Sequence, residues 1–309
     1  MHLLIPYAGV LGPSFQAAAA TLSAPTLQAL LGLLSPTTPA VADDPALEFA
    51  LQLPHERVLA QAQGHSAPAA LALAAGLPAQ QPWGLLSPMH LAVGSDHMTA
   101  LPPAALALDE AQSRAFFEAL TWLMPDEEGW QRHWLSPYQW LVSHPGLAEV
   151  QAASLERVLN RNVDPWLPEQ RLARRLLNEI QMALHGHPLN LAREAQGQLP
   201  LNSVWLSAFG ASPATPHPNL PSPLLLDALR EPALNSDPGA WLQAWQALDA
   251  APELKQALDA ARSGAALTLT LCGERRARSW QNTPRSALQR WWQRVSAAQP
   301  KLSALVEDL

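Results

Sequence analysis

The chain has 309 residues and a formal net charge of -7, a balance that argues against partners held through a phosphate backbone, because neutralising phosphates calls for a basic surface. Hydrophobic residues make up 48% and charged residues 15%, enough apolar side chain for one large domain or two moderate ones. The single cysteine, Cys272, excludes an intramolecular disulfide and any multi-cysteine zinc site.

In chain order, His2 to Ala8 is a short apolar run closed by a Gly/Pro segment and reads as an opening buried strand. The apolar start has no basic region and is interrupted at Pro6 and Pro13, so it does not fit a signal peptide. No uninterrupted apolar run of about 18 residues is present to span a membrane, and a cytoplasmic protein is expected. Leucines at 27, 30, 31, 33 and 34 predict an amphipathic helix over Pro25 to Leu34 with Ser23 as its cap. Thr37 to Asp44 reads as a loop. A second helix is expected over Pro54 to Ala62, with His55, Glu56 and Arg57 in its first turn.

Pro82 to Leu101 reads as extended chain with a turn or bulge at Gly94-Ser95. Asp109 to Met124 reads as a helix, and Trp130 to Ser143 as two short strands around Ser136-Pro137. Pro168 to His185 carries Leu172, Leu176, Ile180 and Leu184 every four residues, a helix stopped by Gly186 and Pro188. A strand over Asn202 to Phe209 follows, then Ala211 to Pro223, with five prolines in thirteen residues, as an extended loop. Leu224 to Leu226 is a further strand, Ala240 to Leu248 a helix with Trp241 and Trp245 on one face, Leu267 to Cys272 a strand, and Ser286 to Ala297 a last helix. Strands separated by helices predict an α/β fold with a largely parallel sheet flanked by helices.

The segment Asn178 to Gly210 concentrates the polar groups that chemistry could use. His187, Asn190, Arg193 and Asn202 suit a carboxylate or phosphate, arginine through its bidentate fork. Equally, His187, Asn190 and Asn202 can hydrogen-bond irregular backbone between the helix and the strand. His55 and Arg57 are a candidate anion site at a helix N-terminus, set against a capping and salt-bridge role. Asp96 and His97 are a candidate catalytic or metal pair, although neighbours on a strand point to opposite faces unless Gly94-Ser95 distorts the chain. Cys272 reads as a packed small hydrophobe. Glu274, Arg275, Arg276 and Arg278 read as a solvated cluster.

The order His187, Pro188, Asn190, Arg193, Gly197, Pro200, Asn202 after a helix and before a strand resembles a segment of archaeal-type cofactor-independent phosphoglycerate mutases. A broader similarity, to RpfE-type regulatory proteins of bacteria, runs through HLLIPYA at the start, LPHERVLA around His55 and VGSDHMTA around Asp96. It continues through ASLERVLNRNVDPWLP, the NEIQM helix, LNSVWLSAFG and LTLTLCGERRA. The resemblance implies a reduced alkaline-phosphatase-like scaffold with a small α+β inserted subdomain: main domain 1–80 and 165–309, insert 83–160, Pro-rich loop 211–223.

In such mutases the opening strand ends in Asp-Gly and the aspartate binds one of two metals, whereas here the strand ends Tyr7-Ala8-Gly9 and no aspartate precedes Asp43. The expectation is therefore a catalytically degenerate regulatory protein with an anion-binding cleft, no cofactor, and a small anion or a protein as partner. One alternative is a phosphotransferase with a rearranged, divalent-metal site on which His55, Asp96, His97, His185 and His187 converge. Another is a partner-binding protein that uses the Pro-rich loop.

Overall fold

The computed structural model describes residues 1–37, 51–78, 80–209, 222–282 and 302–309. The chain opens with strand β1 (His2–Ile5), helices α1 (Pro13–Ala20) and α2 (Pro25–Leu33), strand β2 (Ser35–Thr37), and helices α3 (Pro54–Gln63) and α4 (Ala67–Ala74). Strands β3 (Trp83–Met89), β4 (Leu91–Val93) and β5 (Met98–Ala100) precede α5 (Glu110–Ala119), the strands β6 (Gln131–Ser136), β7 (Gln139–Ser143) and β8 (Gln151–Ala152), and α6 (Leu155–Val158). Then come α7 (Arg171–Leu184), α8 (Pro188–Ala195), β9 (Ser203–Phe209), β10 (Leu224–Leu225), α9 (Arg230–Leu234), α10 (Pro238–Asp249) and α11 (Pro252–Ser263). The described chain ends with β11 (Thr268–Cys272), β12 (Ala277–Gln281) and α12 (Leu302–Asp308). Most of the Pro-rich segment 211–223, the expected helix 286–297 and most of the expected loop 37–44 lie outside the described residues. Among the described residues no helix is long and apolar enough to cross a membrane.

The elements form two compact units, Met1–Ala62 with Asn219–Leu309, and Gln63–Pro218. The expected main-domain segment 165–309 is thereby divided between them, with α7, α8 and β9 packed beside the strands of the 83–160 segment.

In the first unit the sheet order is β10-β1-β11-β12-β2. The expected largely parallel sheet is a mixed one. β1 runs parallel to β10 and β11, while β12 is antiparallel to both β11 and β2. The cause is connection length: β11 and β12 are joined by the turn Gly273–Arg276, closed by the Gly273 amide on the Arg276 carbonyl at 2.9 Å. A parallel return needs a crossover of a dozen or more residues.

β1 is buried on both faces, which explains the unbroken apolar run Leu3–Ile5. Leu3 and Ile5 join Leu269 and Leu271 in the larger core layer, while Leu4 packs with Val58, Cys272 and Ala277 on the other side. The larger layer is anchored by Trp241 and Trp245, fully buried and edge-to-face at 6.2 Å. Each indole removes roughly 200 Å² from water, about 5 kcal/mol of burial at ~25 cal/mol/Å². Trp241 Nε1 donates to the Tyr7 carbonyl at 2.9 Å, so the polar end of that ring is also satisfied. The α2 N-terminus is not closed by Ser23. The capping position is Ala24, without a side-chain bond, and the buried carboxylate of Asp249 accepts instead from the Thr26 and Leu27 amides at 3.1 and 2.8 Å.

The second unit is built on an antiparallel sheet, β6-β7-β3-β9-β8, beside the small hairpin β4-β5. Ile180, Leu176, Leu177 and Leu184 of α7 join Phe116, Trp140 and Leu206 in its core. Ser113, fully buried on the inner face of α5, is a polar hub within it. Its Oγ accepts from the Trp134 and Trp140 indoles at 2.9 and 3.1 Å and donates to the Pro137 carbonyl at 2.9 Å. The hydroxyl thus fixes α5 on the β6–β7 hairpin.

Candidate functional site

α7 stops where its sequence says it must: Gly186 takes the left-handed conformation (φ 63°) and Pro188 cannot continue the helix. The stretch expected to be irregular then starts a new helix, α8, with Pro188 in its first turn and His187 as its N-cap. His187 Nδ1 accepts from the Leu189 amide at 3.2 Å, and its ring lies 6.3 Å from that of Phe116. Asn190 and Arg193, one helical turn apart, face inward at 4% and 3% exposure.

Asn190 bridges three chain segments. Its amide nitrogen donates to the Leu184 carbonyl at 2.9 Å, which at the end of α7 also takes the His187 amide at 3.2 Å, and to the Leu201 carbonyl at 2.8 Å. Its oxygen accepts from the Leu201 amide at 2.9 Å. Arg193 donates from Nε to the Leu199 carbonyl at 2.9 Å, from one terminal nitrogen to Gln112 Oε1 at 2.7 Å, and from the other to the Leu106 carbonyl. Burial lowers its pKa from the ordinary arginine value. Asn202 pairs with Leu91 in both directions, accepting at 2.8 Å and donating at 3.0 Å, much as a backbone ladder would. His90 Nδ1 lies 2.9 Å from the Pro200 carbonyl, so that nitrogen carries the proton. His187, Asn190, Arg193 and Asn202 therefore belong to one ribbon of structure, and each has partners within its own fold. His185 is exposed at the end of α7.

Asp96 and His97 occupy the turn of the β4–β5 hairpin, closed by the Gly94 amide on the His97 carbonyl at 2.9 Å. In a turn the alternation of a strand does not hold, and the two side chains meet, His97 Nδ1 to Asp96 Oδ1 at 2.7 Å. The hydrogen bond and charge of His97 hold the Asp96 carboxyl below its ordinary value. Both side chains are exposed, at 79% for Asp96 and 44% for His97. This pair offers a cation two donor atoms.

His55 and Arg57 lie in the other unit, in the first turn of α3. His55 is buried with its ring 5.3 Å from that of Tyr7, and Glu56 closes the helix start by accepting from the Leu53 amide at 2.6 Å. In the same unit the ends of β1 and β11 meet where the Ala8 amide donates to the Cys272 carbonyl at 2.8 Å. Glu274, expected in a solvated cluster, is instead 1% exposed and accepts from the Leu11 amide at 2.7 Å. Burial pushes the Cys272 thiol far up, out of the range of a nucleophile.

No family model matches the chain and no curated protein matches it. Solved structures similar to it include the following two. One is a cofactor-independent phosphoglycerate mutase from Thermoplasma acidophilum, 14% identical over 91% of this chain and 88% of that one, with a TM-score of 0.35. The other is the PH0037 protein from Pyrococcus horikoshii, 10% identical over 91% and 87%, with a TM-score of 0.48.

Among the buried polar residues that the sequence did not point to are Ser113, Asp249 and Glu274. The first two carried a signal. Ser113 stands at helical spacing from Phe116, Phe117 and Leu120, and Asp249 follows Trp245 by four, so each falls on an apolar face where a polar side chain needs partners. Glu274, just past a strand end and among arginines, carried none.

Proposed function

We infer that this chain is a catalytically degenerate regulatory α/β protein of the RpfE type, distantly related to cofactor-independent phosphoglycerate mutases and retaining a cleft for a small anion. One observation carries the reading: Asn190, Arg193 and Asn202, the polar residues of the mutase-like segment, are bonded to carbonyls, amides and Gln112 of their own fold. Support also comes from the carboxyl end of β1. Tyr7 and Ala8 stand there, both buried, where a two-metal phosphotransferase would need a carboxylate. The neighbouring acid, Glu274, is engaged by the Leu11 amide. These residues do not fit a pair of catalytic divalent ions.

The rival reading, a phosphotransferase with a rearranged site, draws on the Asp96–His97 contact at 2.7 Å. Metal analysis of the purified protein together with turnover of phosphoglycerate and a generic phosphomonoester separates the two. The degenerate reading expects neither stoichiometric metal nor turnover. Two bound divalent ions per chain with turnover that is lost in Asp96→Asn would establish the rival.

A further inference from the structure

The crevice beyond the carboxyl ends of parallel strands is where open α/β sheets hold their ligands. In the first unit that position, beyond β1 and β11, is filled by the chain's own α12. Leu302, Val306 and Leu309 are buried at 2%, 4% and 2% exposure and join the core. The approach is backbone to backbone. A methyl group on Gly273 would overlap the main chain of Leu309, and one on Gly9 would overlap the Val306 carbonyl oxygen. Neither glycine is among those with positive φ, so what each supplies is room and not a left-handed turn.

The turn after β11 presents polar groups to this tail. The successive amides of Arg275 and Arg276 both donate to the Leu309 main-chain oxygen, at 3.1 and 2.7 Å. Two consecutive N–H groups converging on one oxygen form a nest, a concavity suited to an anionic oxygen. Beside it, Arg276 and Arg278 donate to the Asp308 carboxylate at 2.6 and 3.0 Å. One oxygen in the nest and a carboxylate between two guanidinium groups are what a small oxyanion would present.

We propose that the Gly273–Arg278 turn is an oxyanion site for phosphate or a phosphomonoester, and that residues 302–309 are its internal occupant, a strap that must leave before a ligand enters. The crevice lined by Gly9, Phe15, Arg275 and Leu309 has a volume of about 10 Å³ with the strap in place, room for one water and not for phosphate. α12 has seven residues, too few to persist as a helix without these contacts, so releasing it costs the contacts and little else. The proposal rests on the reading above, a degenerate cleft that still takes an anion, and gives that anion a place and a gate.

Gly9→Ala is the decisive variant, because its added methyl meets the Val306 carbonyl oxygen of the strap, whereas a methyl on Gly273 would also crowd the place of the anion's oxygen in the nest. Asp308→Asn, at an exposed position, keeps the test alive if the first variant does not fold. Two quantities are read: the rate at which a protease cleaves the tail, and the affinity for inorganic phosphate by calorimetry. When a closed state limits binding, the apparent affinity rises with the open fraction, so Gly9→Ala should bind phosphate on the order of tenfold more tightly than wild type. Its tail should be cleaved faster, and Asp308→Asn should move both readouts the same way by less. A peptide of residues 302–309 should compete for the gain. Faster cleavage with phosphate affinity unchanged would overturn the site, and unchanged cleavage in both variants would overturn the strap. Either result leaves the non-enzymatic reading standing, since that reading fails on metal content and turnover.

Discussion

Replacing Arg193 by methionine separates a structural arginine from a ligand-binding one. The guanidinium is 3% exposed and reaches the Leu199 carbonyl, Gln112 Oε1 and the Leu106 carbonyl. Hydrogen bonds from a charged donor contribute about 1.5–3 kcal/mol each. Each buried acceptor left without a partner costs about 1–3 kcal/mol, and three lose theirs here. Methionine keeps most of the volume, so the cavity contribution is small and a loss of about 4 kcal/mol is expected. In a domain of about 150 residues that lowers Tm by roughly 10 °C. Lysine should recover less than half of it, since a single ammonium cannot span three acceptors spread over a fork. Urea unfolding by circular dichroism, with hydrogen exchange of the β3 and β9 amides to report on this unit alone, measures the change. A loss within about 0.5 kcal/mol of zero would refute the structural role and return Arg193 to the candidates for ligand binding.

Ser113→Ala strands two indole N–H groups. Trp140, 1% exposed, has no route to water, so a loss of about 2–3 kcal/mol is expected in the same unfolding assay. Cys272, fully buried with its thiol pushed up by burial, should react with a disulfide reagent only at the rate of opening of β11, and a burst of labelling in native protein would contradict this. The Asp96 carboxyl should titrate by NMR below its ordinary 3.8 because His97 bonds and charges it. Its folded pKa is depressed, so the contact is present above the ordinary carboxylate range and lost as pH falls through the lowered value. His97→Ala should bring the titration back to the ordinary value, and an unmoved curve would contradict the pairing.

Much of the fold was legible where side chains carry a period. Ile180 and Leu184 on α7, the Trp241–Trp245 pair on α10, and the Trp134–Val142 hairpin all lie in the expected element types. Of the elements that escaped, α11 carries a stripe, Leu254, Ala257, Leu258 and Ala261, but others have no contrast between faces. α1 reads PSFQAAAA and α4 APAALALA, runs of small apolar residues without a stripe. β12, Ala277–Gln281, is half polar and sits beside a charge cluster, so it read as surface. Missing it also hid the reversal of strand direction, because the four residues 273–276 dictate an antiparallel return only once a strand is placed on both sides of them.

The candidate site was harder to read for a different reason. The residue types that grip a carboxylate or phosphate are the same types that satisfy leftover backbone groups, and backbone has no sequence signature. Asn190 serves the carbonyl of Leu184 and both polar groups of Leu201, residues whose side chains reveal nothing of that duty. The opposite error occurred at Gly273 to Arg278, where three arginines and a glutamate suggested solvent. Glu274 is buried because the Leu11 amide needs an acceptor, and Arg276 and Arg278 are drawn together by Asp308, some thirty residues further along. A cluster of like charges is tolerable only where an opposite charge reaches it, and that partner comes from a distant part of the chain. The turn at 273–278 thus holds the Leu309 main-chain oxygen by two amides and the neighbouring Asp308 carboxylate by two guanidiniums, which makes it a better candidate for an anion than the segment 187–202, whose polar groups are taken up by its own backbone.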